Sequence, residues 1–219
     1  MSASRRVLLS VVATVVVLAA IGLYIGLYLI NVPGSVAATQ TPLGSRLFLA
    51  TVATAEASDA HPTWVSYYAV NGTSTDWRHD TTFVVPANTV VHMTIYQYDT
   101  ATGLRNGFFA QPSGTIGPAL IDGKPTAVVD PTTPGHTFAI PQIGLSVPLP
   151  GAPSNAKNLC TQAPCSLSQA HVTVSFSFRS PGKGLYRWQC FVPCGAGFIQ
   201  GNGGPMQTVG YMGGFVKVV

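Results

Sequence analysis

The first feature of the hydrophobic pattern is one long apolar run near the N-terminus. Residues 7–30 carry no charge and are rich in Val, Leu and Ile. At about 1.5 Å per residue, a helix over this run would cross a hydrocarbon layer of roughly 30 Å. Arg5 and Arg6 precede the run, so the positive-inside rule places the N-terminus in the cytoplasm and the rest of the chain outside. The pattern predicts a single-pass anchor in the cell membrane, with a cleaved signal peptide as the alternative.

Beyond the anchor, the pattern changes to short apolar and β-branched runs separated by turn residues. In the clearest run, Val172, Val174, Phe176 and Phe178 alternate with polar residues, which is the period-two pattern of a strand buried on one face. Runs of this kind cover residues 63–70, 82–85, 89–98, 136–140, 171–179, 185–191 and 210–219. These short strands predict an all-β sandwich or barrel.

Three stretches lack a clear strand pattern. Residues 101–135 and 142–169 are predicted to be long loops, and the second contains four prolines. Residues 32–60 are mainly small and polar, which predicts a tether, although 47–52 could form a strand or a short helix. The predicted organisation is a cytoplasmic tip and transmembrane anchor over 1–31, a tether over 32–60 and an extracytoplasmic domain over 61–219.

Composition and charge narrow the function classes. The net charge is +4, and after the first six residues the basic side chains are scattered singly, which argues against nucleic acid as a partner. Glu56 is the one glutamate, and the sequence has neither a Gly-x-Ser-x-Gly nor a His-Glu-x-x-His motif. These features argue against a hydrolase with an active site of its own.

The cysteines allow two interpretations outside the membrane. The simplest of the three possible pairings joins Cys160 to Cys165 and Cys190 to Cys194. Because Cys160 and Cys165 lie in a Pro-rich stretch, we interpret them as a disulfide that staples a loop. For Cys190 and Cys194, a metal site and a disulfide or free thiols both stay open.

Two motifs in order resemble a known family. Residues 136–144 read His-x-Phe-x-x-Pro-x-x-Gly, and residues 190–195 read Cys-x-x-x-Cys-Gly after an aromatic-rich strand. This chain resembles subunit II of heme–copper oxidases, of the type with a single anchor. The resemblance implies a cupredoxin-like Greek-key sandwich or barrel with long Gly/Pro-rich loop insertions, preceded by one transmembrane helix.

The resemblance also implies a copper centre. The family holds two copper ions with two thiolates, two imidazoles, a Met sulfur and a backbone carbonyl. His136, Cys190, Cys194 and Met212 match ligand positions, with Met212 displaced by an insertion, whereas Phe198 stands where the second His is expected. A replacement imidazole would have to come from elsewhere in the chain: His61, His79, His92 or His171.

The functional expectation follows from this resemblance. The chain would be a component of a membrane oxidase or related respiratory complex, with a modified copper site for electron transfer or a structural role after copper loss. It would be at most a non-catalytic or electron-transfer subunit, with no turnover of its own. Its partners would be a larger integral-membrane subunit and a cytochrome or cupredoxin electron donor. The alternatives are a stand-alone, membrane-anchored protein that binds and delivers copper, and a disulfide-stapled interaction module.

Overall fold

The structure is a computed structural model that describes residues 3–26, 34–53, 64–71, 76–195 and 204–219. It separates into two compact units, residues 1–32 and 33–219. The first unit contains helix α1 (Ala3–Tyr24), which is long and apolar enough to cross a membrane by length and composition. Its described side chains are exposed.

The second unit is built from strands. In chain order they are β1 (Ser35–Ala37), β2 (Thr39–Thr41), β3 (Gly44–Val52), β4 (Ser66–Val70), β5 (Trp77–Arg78), β6 (Thr82–Val85), β7 (Val90–Gln97), β8 (Ala119–Ile121), β9 (Lys124–Thr126), β10 (Pro134–Ile140), β11 (Leu145–Pro150), β12 (Val172–Arg179), β13 (Gly184–Gln189) and β14 (Gly213–Val218). Within the residues that the structure describes, 3-10 turns at Gly107–Ala110 and Pro141–Ile143 lie in the connections between strands.

The strands form two sheets. The first has the order β1-β6-β14-β13-β10-β11, and the second has the order β5-β4-β3-β7-β12-β8-β9, with β2 paired to β3. Residues on β12 alternate between buried and partly exposed, so the period-two prediction for this strand is correct. The prediction of an all-β sandwich preceded by one apolar helix is confirmed.

The main core lies where the inner faces of the sheets meet. Its largest members are aromatic: the Trp188 ring stacks on Phe138 at a centroid distance of 5.3 Å and on Phe83 at 5.5 Å. A smaller cluster surrounds Cys160 and Cys165 and includes Tyr68 and Tyr98. Burial of large apolar and aromatic side chains is the dominant favourable term in holding such a domain together.

The tether predicted over 32–60 differs from what the described part of that range contains. Residues 34–53 form three strands, and β3 lies inside the second sheet between β4 and β7. The reason is that Leu47, Leu49 and Val52 are buried and join the cores of the domain. The folded unit therefore begins well before residue 61.

The long loop predicted over 142–169 also contains a strand. β11 pairs with β10 in an antiparallel register at the edge of the first sheet. Pro148 and Pro150 lie on it, and an edge position tolerates proline because one side of the strand has no ladder to complete. Short strands β8 and β9 likewise interrupt the loop predicted over 101–135.

Candidate metal centre

Two neighbouring strands of the first sheet bring the sequence-predicted residues together. His136 lies on β10, and Cys190 directly follows β13. The two strands are antiparallel neighbours, with Ala139 opposite Gln189. Cys194 returns to the same end of the sheet through the short loop after Cys190, which places all three side chains at one site.

The three side chains form a compact cluster of nitrogen and sulfur donors. His136 Nδ1 lies 2.9 Å from Cys194 Sγ and 3.9 Å from Cys190 Sγ. The two sulfur atoms are 3.4 Å apart, and both cysteines are free thiols. One ligand atom from each residue falls within 4.8 Å of the others. Among the described residues, this is the one group of three or more such donors.

Burial and neighbouring polar groups change the pKa values of the side chains in the cluster. His136 is 1% exposed, Cys190 is fully buried and Cys194 is 4% exposed. Burial opposes protonation of the imidazole, but the hydrogen bond to Asp99 and the neighbouring Cys190 outweigh it and raise the pKa of His136 to about 9. Asp99 and Cys190 therefore stabilise positive charge on the buried His136 ring.

The two thiols are perturbed in opposite directions. Burial raises the pKa of Cys190, but the hydrogen bonds to Cys194 and His136 outweigh burial and lower that pKa below its ordinary value. The hydrogen bond to Cys190, together with burial, raises the pKa of Cys194. The pair therefore carries its first negative charge on Cys190, and thiolate is the form in which cysteine binds metals.

Thr137 holds the Cys190 side of the cluster. Its backbone N–H donates to Cys190 Sγ at 3.3 Å, and its hydroxyl oxygen accepts from the Phe191 N–H at 2.8 Å. The Tyr67 hydroxyl donates to the Thr137 carbonyl at 2.8 Å. These bonds fix both the β10 backbone and the start of the cysteine loop.

Asp99 lies on the other side of the imidazole. It follows β7 in the second sheet, and its Oδ2 accepts a hydrogen bond from His136 Nε2 at 3.0 Å. Gly135 permits this approach, because a Cβ at that position would lie 2.5 Å from the Thr100 carbonyl oxygen. The site therefore draws on both sheets.

Met212 lies next to the cysteine loop but its thioether is not assigned to the cluster. The residue is fully buried and directly precedes β14. Its backbone carbonyl accepts from the Cys190 N–H at 2.8 Å, and its N–H donates to the Pro205 carbonyl at 3.1 Å. The backbone therefore places Met212 beside Cys190, and its role as a sulfur ligand stays a prediction.

The other histidines in the described chain have partners away from the cluster. His79 Nε2 lies 2.7 Å from Ser66 Oγ, His92 Nδ1 lies 2.8 Å from Ser177 Oγ, and His171 Nδ1 lies 2.8 Å from the Gln169 carbonyl. His61 and Phe198 lie outside the described residues. Within the described residues, a second imidazole for the centre is not found.

Cys160 and Cys165 are joined by a disulfide, with their Cα atoms 5.8 Å apart. The bond lies in the smaller core cluster, packed with Tyr68 and Tyr98. The Tyr98 hydroxyl donates to the Ser166 carbonyl at 3.2 Å and so ties the same loop to the end of β7. This pair is therefore separate from the His–Cys–Cys cluster.

Sequence reasoning missed Asp99 and Tyr67. Asp99 is one of only seven acidic residues, but it lies 37 positions before His136 and belongs to no motif. Tyr67 is in a predicted strand, where an aromatic residue normally indicates core. The available signal was the scarcity of carboxylates in a sequence with only 8% charged residues, so each carboxylate deserved a structural or functional interpretation.

No protein-family model matches the chain, and no curated protein matches it at a significant level. Among solved structures, the chain is similar to rusticyanin. One rusticyanin structure, described as that of a copper protein, matches at 14% identity and a TM-score of 0.34 over 84% of this chain and 82% of that one. Reduced rusticyanin matches at 15% identity and a TM-score of 0.35 over 86% and 87%. Rusticyanin from Thiobacillus ferrooxidans matches at 14% and 0.35 over 86% and 85%. The resemblance to oxidase subunit II stays a prediction.

Proposed function

We propose that this chain binds copper through His136, Cys190 and Cys194 and passes single electrons. In this role it would be the membrane-anchored, extracytoplasmic component of a heme–copper oxidase or a related respiratory complex. The observation that carries the proposal is the buried cluster in which one imidazole nitrogen and two thiol sulfurs lie within 4.8 Å of one another.

The donor set fits copper. Thiolate sulfur and imidazole nitrogen are the ligands that copper and zinc prefer over oxygen donors, and the cluster offers both kinds. Bound copper would supply one-electron chemistry between its two oxidation states. The chain's own contribution is to keep the ligands dry and fixed, since the Thr137 N–H donates to Cys190 and β10 and β13 hold the loop ends.

We further infer that the centre holds one copper ion rather than two. The family's two-copper centre requires a second imidazole, and the matching position is Phe198. Three donors from the described residues, with Met212 as a proposed fourth ligand, suffice for one ion. Met212 supports this arrangement because its backbone is already hydrogen-bonded to Cys190.

The same proposal covers location and partners. Arg5 and Arg6 before an apolar helix favour an anchor with its N-terminus in the cytoplasm, which would leave the strand domain outside. The apolar helix would pack against a larger integral-membrane subunit. An external cytochrome or cupredoxin would donate the electron.

A second candidate is a membrane-anchored copper-binding and delivery protein. The observation that favours it is the short ligand set, since three donors within the described residues leave room for exchange with a receiving site. Electron transfer needs a ligand set that stays closed in both oxidation states, whereas delivery needs one that opens.

Metal analysis and an absorption spectrum of the purified full chain test the proposal. We expect about one copper ion per chain and intense thiolate-to-copper absorption in the oxidised protein. Cys190→Ser should abolish the absorption, whereas the double variant Cys160→Ala/Cys165→Ala should keep it. A colourless protein that binds zinc alone, or one with no reactive thiol, would exclude the copper role. Co-purification with a heme-containing subunit distinguishes the oxidase component from the delivery protein.

A further inference from the structure

We propose that Asp99 is a positioning residue that orients His136 for metal binding and tunes the centre through that imidazole. The proposal rests on the proposed function, because it concerns how the copper ligand is held. It assigns a role to a carboxylate that touches none of the sulfur ligands.

The first step is the direction of the hydrogen bond. Asp99 Oδ2 lies 3.0 Å from His136 Nε2. A carboxylate oxygen accepts and does not donate, so the imidazole must carry a proton on Nε2. The nitrogen left for a metal is then Nδ1, which lies 2.9 Å from Cys194 Sγ and 3.9 Å from Cys190 Sγ.

The second step is that Asp99 is itself held in place. Its Oδ1 accepts from the Thr100 N–H at 2.7 Å, and its backbone carbonyl accepts from the Ala152 N–H at 2.8 Å. The side chain is 23% exposed, whereas that of His136 is 1% exposed. The carboxylate is therefore a fixed acceptor at the boundary between solvent and a buried ring.

The third step is that each ring nitrogen of His136 has a partner, which together set the orientation of the ring. Its two nitrogens face opposite partners, one toward the sulfurs and one toward Asp99. A metal ligand histidine is normally oriented by an acceptor on its second nitrogen, and removal of that acceptor typically lowers metal affinity about 10- to 100-fold. In the described structure, Asp99 is the acceptor that occupies this position.

Asp99→Asn separates orientation from packing, because it keeps the size of the side chain. The asparagine oxygen can still accept from Thr100, which turns the NH₂ group toward His136 Nε2. The imidazole must then move its proton to Nδ1, the atom that faces the sulfurs, or rotate away. The matched control is Asp130→Asn, which removes the same charge from an exposed carboxylate that accepts from Thr132 in its own turn.

The experiment measures Cu(I) affinity of the full chain in detergent by competition with a chromophoric chelator. We expect Asp99→Asn to bind Cu(I) about 10- to 100-fold more weakly than the unchanged chain, and Asp130→Asn to bind equally well. The Cu(II)/Cu(I) potential should rise in Asp99→Asn, because loss of the carboxylate makes the imidazole less basic and so favours Cu(I). A residue that only supported the fold would not shift the potential in this direction.

A second measurement does not require Asp99→Asn to fold. In the Cu(I)-loaded chain labelled with [15N]histidine, one imidazole should show a slowly exchanging Nε2–H, and His136→Ala should identify it by loss of that signal. Equal affinity and potential for the Asp99→Asn variant, or a His136 ring bound to copper through Nε2, would overturn the role of Asp99 alone. If the unchanged chain binds no copper, the proposed function fails and this inference fails with it.

Discussion

The Tyr67 side chain links the candidate centre to the aromatic core. Its ring packs edge-on against Trp188 at a centroid distance of 4.8 Å, and its hydroxyl donates to the Thr137 carbonyl. Thr137 is opposite Pro148 on β11, and proline has no backbone N–H to donate. The hydroxyl therefore supplies a bond to a buried carbonyl beside the cysteine loop.

We expect Tyr67→Phe to lower the free energy of unfolding by about 1–3 kcal/mol, because it leaves the buried Thr137 carbonyl without this donor. The control is Tyr186→Phe, which removes an exposed hydroxyl bond to the Gly182 carbonyl and should change stability by less than about 0.5 kcal/mol. Denaturant unfolding followed by tryptophan fluorescence measures both. Equal effects of the two variants would contradict the proposed support of the site.

Residues of the candidate site could be predicted from the sequence only where they belonged to a motif. His136, Cys190 and Cys194 were singled out by their spacing within two motifs, and they lie together in the structure. Asp99 reaches the site because the segment after β7 meets the segment after β11, where the Asp99 carbonyl accepts from the Ala152 N–H, and no local pattern in the sequence encodes that approach. Contacts between distant segments depend on sheet order and register, which a period-two pattern leaves open.

At the scale of elements, β3 tests where the folded domain begins. It pairs with β7 in a parallel register and with β4 in an antiparallel one, so it is an interior strand of the second sheet. Leu49 on this strand is fully buried, whereas Leu43 in the turn before it is 77% exposed.

Leu49→Ala should lower the free energy of unfolding by about 2–5 kcal/mol, because it opens a cavity in the core. Leu43→Ala makes the same chemical change at the surface and should be close to neutral. Thermal unfolding followed by circular dichroism compares the two. If Leu49→Ala were as harmless as Leu43→Ala, residues 44–52 would be a tether rather than a core strand.

The Cys160–Cys165 disulfide also stabilises the fold. It closes a short loop of sequence separation five, which in the chain-entropy description stabilises the fold by about 2 kcal/mol. Cys160→Ala/Cys165→Ala should lower Tm by about 4–8 °C. Thr161→Ala, an exposed change in the same loop, should leave Tm unchanged. Copper binding should survive in both, since the disulfide lies in a cluster separate from His136; lost binding would show that the two are coupled.

Element prediction succeeded where alternation was long and failed where proline or short length hid a strand. β12 alternates over eight residues, and β7 does the same. β11 carries two prolines that normally exclude a central strand, yet it lies at the sheet edge. The sequence did not distinguish a strand from a short helix at β3. The C-terminal half of β3 is buried on both faces, so its apolar residues are consecutive instead of alternating.

At the scale of the whole molecule, metal binding and folding should be coupled. The ligands come from β10 and from the loop after β13, so a bound ion joins segments that unfolding separates. At free Cu(I) about 1,000-fold above Kd, we expect the free energy of unfolding to rise by about 4 kcal/mol. Chelator should reverse the rise, and His136→Ala should reduce it. An equal shift in His136→Ala would place the bound copper elsewhere.

The orientation of the N-terminal helix would determine on which side of a membrane the proposed copper site lies. If Arg5 and Arg6 set the orientation, a tag on the N-terminus stays in the mature chain and is protected from protease added outside the cell, whereas the strand domain is accessible. Arg5→Glu/Arg6→Glu should lower the fraction in this orientation. Arg105→Glu/Lys124→Glu makes the same charge change far from the helix and should leave that fraction unaltered.

A mature chain that begins after residue 35 and is released by alkaline washing would instead establish a cleaved signal peptide. In that case the copper site could still form, because its ligands all come from the strand unit, but the chain would lose the contact with an integral-membrane subunit that the oxidase role requires.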